Sequence, residues 1–335
     1  MAFELDLKDK KLLLELDLDA KAAPKELAKK VGISGQAVLY RIKRLEENGI
    51  LTGYKAIINF SRLGYTSFSV FCRLENSDEK KTAQIIEYLQ SLGGVYWIGI
   101  CGGRFDISFG LMCKSVFEFN RLYYDFKNLY SSHLSETAVA IRSELRQFTR
   151  NYLISDERMR LKPSLFFGKE PQLFEIDSLD SDIMSAIAPN CRRPITEIAS
   201  LLGKPAATVA FRIKKLEQEG IIQGYDTVVK VQKYGVQSYR LLLTIDSMDE
   251  KERNRLFLYC QQNPTVWLAA ETVGAWNFEI VYEVESHERL ERELLSLKKI
   301  FGGMISKIEV LVMFEEDRYL RMWNVKKINY NSKSK

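Results

Sequence analysis

Two stretches of this 335-residue chain carry side chains suited to gripping a polyanion. In the first, Arg41, Lys43 and Arg44 supply cations that can neutralise phosphates. Gln36, just ahead of them, has an amide that can bond an adenine edge bidentately, worth roughly 1–3 kcal/mol of discrimination. Ser34 suits a helix N-cap, Gly35 leaves room for close backbone approach, and Leu39 and Tyr40 fall on the same outward side. In the second stretch Arg212, Lys214 and Lys215 repeat the cations, preceded by Lys204 and Thr208. There Pro205, Ala206 and Ala207 stand where Ser34, Gly35 and Gln36 stood, so the polar base reader is lost. The expectation is base reading plus phosphate contact from the first stretch. The second should give phosphate contact without the same base preference. A basic helix is often no more than a solvated face, so the elements around it must decide.

Those elements are legible in order. Leu12, Leu13 and Leu16 mark one apolar stripe. A short helix starts near Pro24, a residue suited to a first helical turn, and turns at Gly32. Ser34 opens the next helix, where Val38, Ile42 and Leu45 lie at i, i+4, i+7 on one buried face. Gly49 ends it, and Ile50 to Phe60 reads as extended. Three helices, a glycine turn before the third and a strand after it describe a winged helix-turn-helix.

The pattern occurs twice. Arg41 to Tyr54 returns as Arg212 to Tyr225, an offset of 171 residues (212 − 41). The offset holds from Asp6 and Asp9, matched by Asp177 and Asp180, to Gly103-Arg104-Phe105-Asp106, matched by Gly274-Ala275-Trp276-Asn277. So long a period indicates a duplicated two-domain unit rather than a solenoid. After Gly64 each unit continues strand, helix, strand, strand, helix, strand, with Ala83, Ile86 and Leu89 marking its first helix. That order is a ferredoxin-like βαββαβ module, with one sheet face left to seek a partner. The fold class expected is α+β, two tandem copies of a winged helix-turn-helix followed by this module. The expected boundaries are 1–60 and 65–148 for the first unit, 149–170 for a linker, and 171–231 and 236–325 for the second unit.

Composition bounds the rest. A net charge of +5 is modest, but residues 21–55 hold eight Lys/Arg against three acids, and residues 192–226 hold six against four. Five scattered cysteines without a Cys-x-x-Cys pair read as reduced thiols of a cytoplasmic protein with no signal peptide. His133 and His287 lack metal-ligand spacing. The most apolar stretch, 95–113, is broken by Arg104 and Asp106, so no membrane span is expected. No nucleophile elbow, phosphate-binding glycine loop or metal cluster is present. A protein that is not an enzyme and carries no cofactor is therefore expected.

The order Leu5-Asp6, Asp9, Glu26-Leu27-Ala28, Gly32, Ser34, Arg41-Ile42-Lys43-Arg44-Leu45-Glu46, Gly49-Ile50 and Gly53-Tyr54 resembles the leucine-responsive/AsnC (feast–famine) transcription regulators. The resemblance covers nearly the whole chain, twice. It implies double-stranded DNA as partner, dimerisation through the βαββαβ sheets and an amino-acid-like effector. The departure is the fusion of two units, which suggests an internal pseudo-dimer that associates further. The family's effector loop is matched by Gly102, Gly103, Phe105 and Asp106, with Ser135 and Thr137 on the last strand, and by Gly274, Trp276 and Asn277 in the second unit. The resemblance implies that Asp106 holds an ammonium and the glycine N–H groups a carboxylate. The siroheme decarboxylases share this layout, and bringing His and Arg to a tetrapyrrole is expected of them. Here His133 aligns with Met304 and His287 with Val116. That enzymatic reading, and a purely architectural DNA-binding or co-regulatory protein, stay open beside the regulator.

Overall fold

The computed structural model describes residues 3–154, 165–168 and 173–317. The first head begins with α1 (Leu7–Leu18), opened by a capping box in which the Asp6 side chain takes the Asp9 N–H and Asp9 returns to Asp6. Next come α2 (Pro24–Val31) and α3 (Gly35–Glu47). Gly32 between them has φ +72°, a left-handed turn that glycine enters without steric cost. The Ser34 hydroxyl accepts the Ala37 N–H and starts α3, and Val38, Ile42 and Leu45 are its buried face. The wing is β1 (Leu51–Ile58).

The first module runs β2 (Thr66–Leu74), α4 (Glu79–Ser91), β3 (Val95–Gly102), β4 (Ile107–Cys113), α5 (Val116–Leu129) and β5 (Leu134–Gln147). On α4 the buried residues are Ile85 and Leu89, while Ala83 is exposed, so the apolar stripe lies off the Ala83-Ile86-Leu89 spacing. Larger side chains four apart reach the sheet where alanine would not. A short strand, β6 (Leu165–Gly168), pairs with β5. The second head follows as α6 (Ser178–Ile187), α7 (Ile195–Leu202), α8 (Ala206–Gln218) and β7 (Ile222–Val229). The second module is β8 (Gln237–Ile245), α9 (Glu250–Gln262), β9 (Val266–Gly274), β10 (Phe278–Val284), α10 (His287–Phe301) and β11 (Ile305–Asp317).

The expectation from sequence was two sheets facing each other. The structure joins their edges as well. Strand β3 of the first module pairs with β11 of the second, and β5 of the first pairs with β9 of the second. Strand β5 also pairs with β2, so eight strands close on themselves in the order β2-β4-β3-β11-β8-β10-β9-β5. Closure removes the unpaired edges that each module alone would expose. Phe71, Trp97, Phe105, Leu242, Trp276 and Met313 fill the inside, with the Phe71 and Trp276 rings edge-on at 4.7 Å. Each of these large apolar side chains contributes roughly 1.5–3 kcal/mol by leaving water. Helices α4 and α5 cover one outer flank and α9 and α10 the other.

The two heads are joined by a ribbon of β1 against antiparallel β7. Its register places Lys55 opposite Asp226, and these two positions are equivalent under the 171-residue repeat. They therefore sit on the internal pseudo-two-fold axis, both buried, with Lys55 Nζ 3.0 Å from the Asp226 carboxylate. Two identical copies would place like charges there. Divergence after duplication makes the pair complementary only between first and second copies.

The segment read as a linker is partly built into the fold. Arg150, Asn151 and Leu153 are buried. The Arg150 guanidinium reaches Asp17 of α1 at 2.5 Å and Glu283 of β10 at 2.9 Å. The remainder of that segment, apart from β6, lies outside the described residues.

Candidate nucleic-acid interface

Helix α3 turns Gln36, Leu39, Tyr40 and Lys43 to solvent, with Leu39 55% and Tyr40 67% exposed. Ser34 is exposed at its start and Gly35 half-buried. Helix α8 presents Lys214 and Lys215, with Lys204 exposed ahead of it and Thr208 half-buried. It has no side-chain N-cap, because Pro205 replaces the serine. The sequence reading passed over Phe211, which stands where Tyr40 stands in the first copy and is 66% exposed. The repeat offset was the signal that could have found it. An aromatic ring is thus left in water at the same outward position of both helices.

Arg41 and Arg212 depart from the expectation. Arg41 lies 2.7 Å from Asp6 and 2.7 Å from the fully buried Asp9. Arg212 makes the same contacts with Asp177 at 2.7 Å and Asp180 at 3.1 Å. Arg44 adds a close bond to Asp9 and lies 5.3 Å over the Phe3 ring. Hydrogen bonding to Asp6 pushes the Arg41 guanidinium up. Partial burial raises the Asp6 carboxyl, but the Asp9 N–H and Arg41 outweigh it and hold it below its ordinary value. Arg41 and Arg212, expected on phosphates, thus form a clamp between the start of the first helix and the third helix of each head. The outward cations are Lys43, 3.6 Å from Glu47, and Lys204, Lys214 and Lys215.

The tyrosines that end the repeated motif mount one head on the other. Arg192 stacks 3.8 Å over Tyr54, and Lys21, its equivalent, 4.2 Å over Tyr225. Cys191 N–H donates to the Tyr54 carbonyl at 2.9 Å and Ala20 N–H to that of Tyr225 at 3.1 Å. Each tyrosine hydroxyl donates to a glutamate of its own recognition helix, Tyr54 to Glu46 and Tyr225 to Glu217. The two helices are therefore tied to one frame through matching contacts.

The effector loops are placed elsewhere and employed differently. Asp106 accepts the Leu74 N–H at 2.7 Å, and Asn277 accepts the equivalent Ile245 N–H at 2.7 Å. Phe105 and Trp276 are buried inside the strand ring. Gly103 and Gly274 have φ +120° and +137°. A side chain there would meet the Val310 carbonyl at 3.1 Å or the Val139 carbonyl at 2.6 Å. The loops thus press against the last strand of the opposite module. Gly102 would likewise meet Phe314 at 2.8 Å. Ser135 donates to the Arg73 carbonyl at 3.4 Å, and Thr137 and Tyr123 share a hydrogen bond of 2.7 Å. Structural demands thus account for the Gly-x-x-Asp/Asn pattern, and none of these residues lines the cavity described next.

That cavity, about 520 Å³, lies between the wing strand β1 and the strand ring, walled by Ile57, Phe60, Tyr96, Trp97, Ile141 and Leu268. Its counterpart under the internal repeat is lined by Thr227, Val229, Val231 and Trp267 and shrinks to about 40 Å³. There Arg150 enters, stacked 4.9 Å over Trp267. All five cysteines are buried as thiols rather than disulfides, and burial pushes those of Cys72 and Cys260 up. Among the described residues no helix is long and apolar enough to cross a membrane, and no cluster of three His, Cys, Asp or Glu could hold a metal.

Comparison with known proteins places these features. The winged helix-turn-helix DNA-binding family matches residues 5–52 and again 176–223, the same offset of 171. An uncharacterized HTH-type transcriptional regulator of Pyrococcus abyssi is 33% identical over 127 residues, 37% of this chain and 84% of its own length. The leucine-responsive regulatory protein of Rhizobium meliloti is 46% identical over 69 residues, 21% of this chain and 44% of its own. Among solved structures, a siroheme decarboxylase superposes with a TM-score of 0.60 at 15% identity, covering 96% of this chain and 97% of that one. At that identity the match speaks for a shared fold across both units. Two winged heads, two βαββαβ modules and a regulator matched over most of its length lead to one conclusion: the chain belongs to the leucine-responsive/AsnC family of transcription regulators, with two family units fused in one polypeptide.

Proposed function

We propose that this chain regulates transcription in the cytoplasm by binding double-stranded DNA sequence-specifically through two unequal heads. The observation that carries the reading is the pair of outward helix faces, Gln36/Tyr40/Lys43 and Phe211/Lys214/Lys215, on heads joined by one two-stranded ribbon. Heads related by a two-fold axis read half-sites about one helical turn, roughly 34 Å, apart. Gln36 and Tyr40 read bases in the first half-site. The second head, with alanines in place of the glycine and glutamine, grips mainly phosphate. A small ligand tunes this binding.

Salt dependence of affinity tests the docking face. Lys43→Ala should weaken binding to all sequences alike and flatten the logarithmic salt slope by about one. Joint replacement of Lys214 and Lys215 by Ala should flatten it by about two. Unchanged slopes in both variants would mean that DNA lies elsewhere.

A second reading, a siroheme-decarboxylase-like enzyme, is favoured by the whole-chain fold similarity alone. Neither histidine lines the large cavity: His133 Nδ1 is 3.0 Å from the Asn76 carbonyl and His287 Nδ1 is 2.7 Å from the Tyr239 hydroxyl. Incubation of the purified chain with siroheme should leave its carboxylates intact, and turnover would establish the enzyme.

A further inference from the structure

The two cavities related by the internal repeat differ in the charge that they bury. In the small one, an arginine from the chain itself meets two carboxylates, Asp17 and Glu283. In the large one two buried arginines line the wall. Arg142 Nη2 and Arg240 Nη1 both lie 2.7 Å from the same Glu279 oxygen, and both guanidiniums sit over Trp97, at 4.9 and 4.7 Å. The carboxylate on Arg142 is therefore shared, and its other partner is the Tyr96 hydroxyl at 2.8 Å. Arg142 Nε and Trp97 Nε1 are buried donors with no hydrogen-bond partner among the described residues. Lys55, also in the wall, is matched by Asp226. No Asp or Glu lines the cavity among the described residues.

An incompletely matched guanidinium away from water is costly, and a counter-anion relieves that cost. The remaining wall is aliphatic and aromatic, and about 520 Å³ falls within the range of small-molecule sites. We propose that this cavity binds a small apolar or aromatic monocarboxylate without an ammonium group, an arylalkanoate or 2-oxo acid, with its carboxylate on Arg142. A free amino acid is selected against, because its ammonium would be desolvated with no carboxylate to meet it. The second module carries methionine, Met313, at the position equivalent to Arg142, so the anion site belongs to one cavity only. The wall includes Ile57 and Ile58 of β1, so the ligand touches the strand that joins the two heads.

Isothermal titration of the full chain with three probes of one size tests this without reference to DNA. The probes are 3-phenylpropionate, L-phenylalanine and 3-phenylpropanamide. Saturable binding of 3-phenylpropionate is expected, with the other two weaker by about tenfold or more, the value of one charge-assisted hydrogen bond. Arg142→Met should lose a similar factor for 3-phenylpropionate while keeping its near-ultraviolet circular dichroism. Should that variant fail to fold, Thr66→Trp narrows the exposed rim and leaves every buried charge in place; it too should abolish binding. Equal affinities for acid, amino acid and amide, no saturable heat with any probe, or undiminished binding in either folded variant would overturn the assignment.

Discussion

Arg41 and Lys43 lie two residues apart on α3, yet their charges meet different partners. Arg41 is drawn onto Asp6 and Asp9, whereas Lys43 stays in water. Arg41→Ala should therefore cost about 2 kcal/mol of stability in chemical denaturation, because the buried Asp9 loses a partner. It should leave the salt slope of DNA binding unchanged. Lys43→Ala should do the reverse, within about 0.5 kcal/mol of wild-type stability. A flattened slope from Arg41→Ala would restore it to the DNA-facing set. The sequence displays both arginines and the repeated aspartates Asp6/Asp9 and Asp177/Asp180. It does not display that they meet, because the partners lie 32 to 35 positions apart on different helices. Asp106 is a parallel case, since a carboxylate after a glycine turn looks like a ligand holder until its backbone partner, Leu74, is seen.

Helices were legible because their signals are local. Ser34 caps α3, Pro24 opens α2, and the apolar spacing of α3 gives its buried face. Strand partners are not local, and nothing in β3 or β5 announces that each will pair across the repeat with β11 or β9. The ribbon of β1 and β7 is the most informative of these joints. Its central pair, Lys55 and Asp226, is buried in both members. Asp226→Lys should cost about 3–5 kcal/mol, as removing one partner of a buried pair does. The exchange of both, Lys55→Asp with Asp226→Lys, should recover most of that loss in urea unfolding. An exchange no better than the single change would mean that the pair does not set the head-to-head register.

At the scale of the molecule, duplication has produced two units with one frame and unequal contents. The small cavity is closed by Arg150 between Asp17 and Glu283. Burial pushes the Asp17 carboxyl up to about 6, against the pull of Arg150. A folded-state value above the unfolded one favours the native state below the unfolded value, and that contribution fades as pH rises to about 6. Asp17→Asn removes this dependence, so its stability relative to wild type should rise from about pH 4 to pH 6. A flat or falling difference in urea unfolding across that range would show that Asp17 ionises normally. The duplication and both heads were visible in the sequence. The one-sided cavity was not, because Arg142, Trp97 and Ile57 come together from three strands whose pairing no local pattern reveals.

The same inequality governs the heads. Gln36 in α3 faces outward where α8 offers Ala207, while Tyr40 and Phe211 keep an aromatic ring in each. Selection of bound sequences from random double-stranded DNA, at one stated salt concentration, tests this most directly. The account predicts an imperfect palindrome with half-sites about one helical turn apart. One half should be strictly read and the other loosely, with the strict half relaxed by Gln36→Ala and Tyr40→Ala. No enrichment over the starting pool, or two halves read equally strictly, would contradict it.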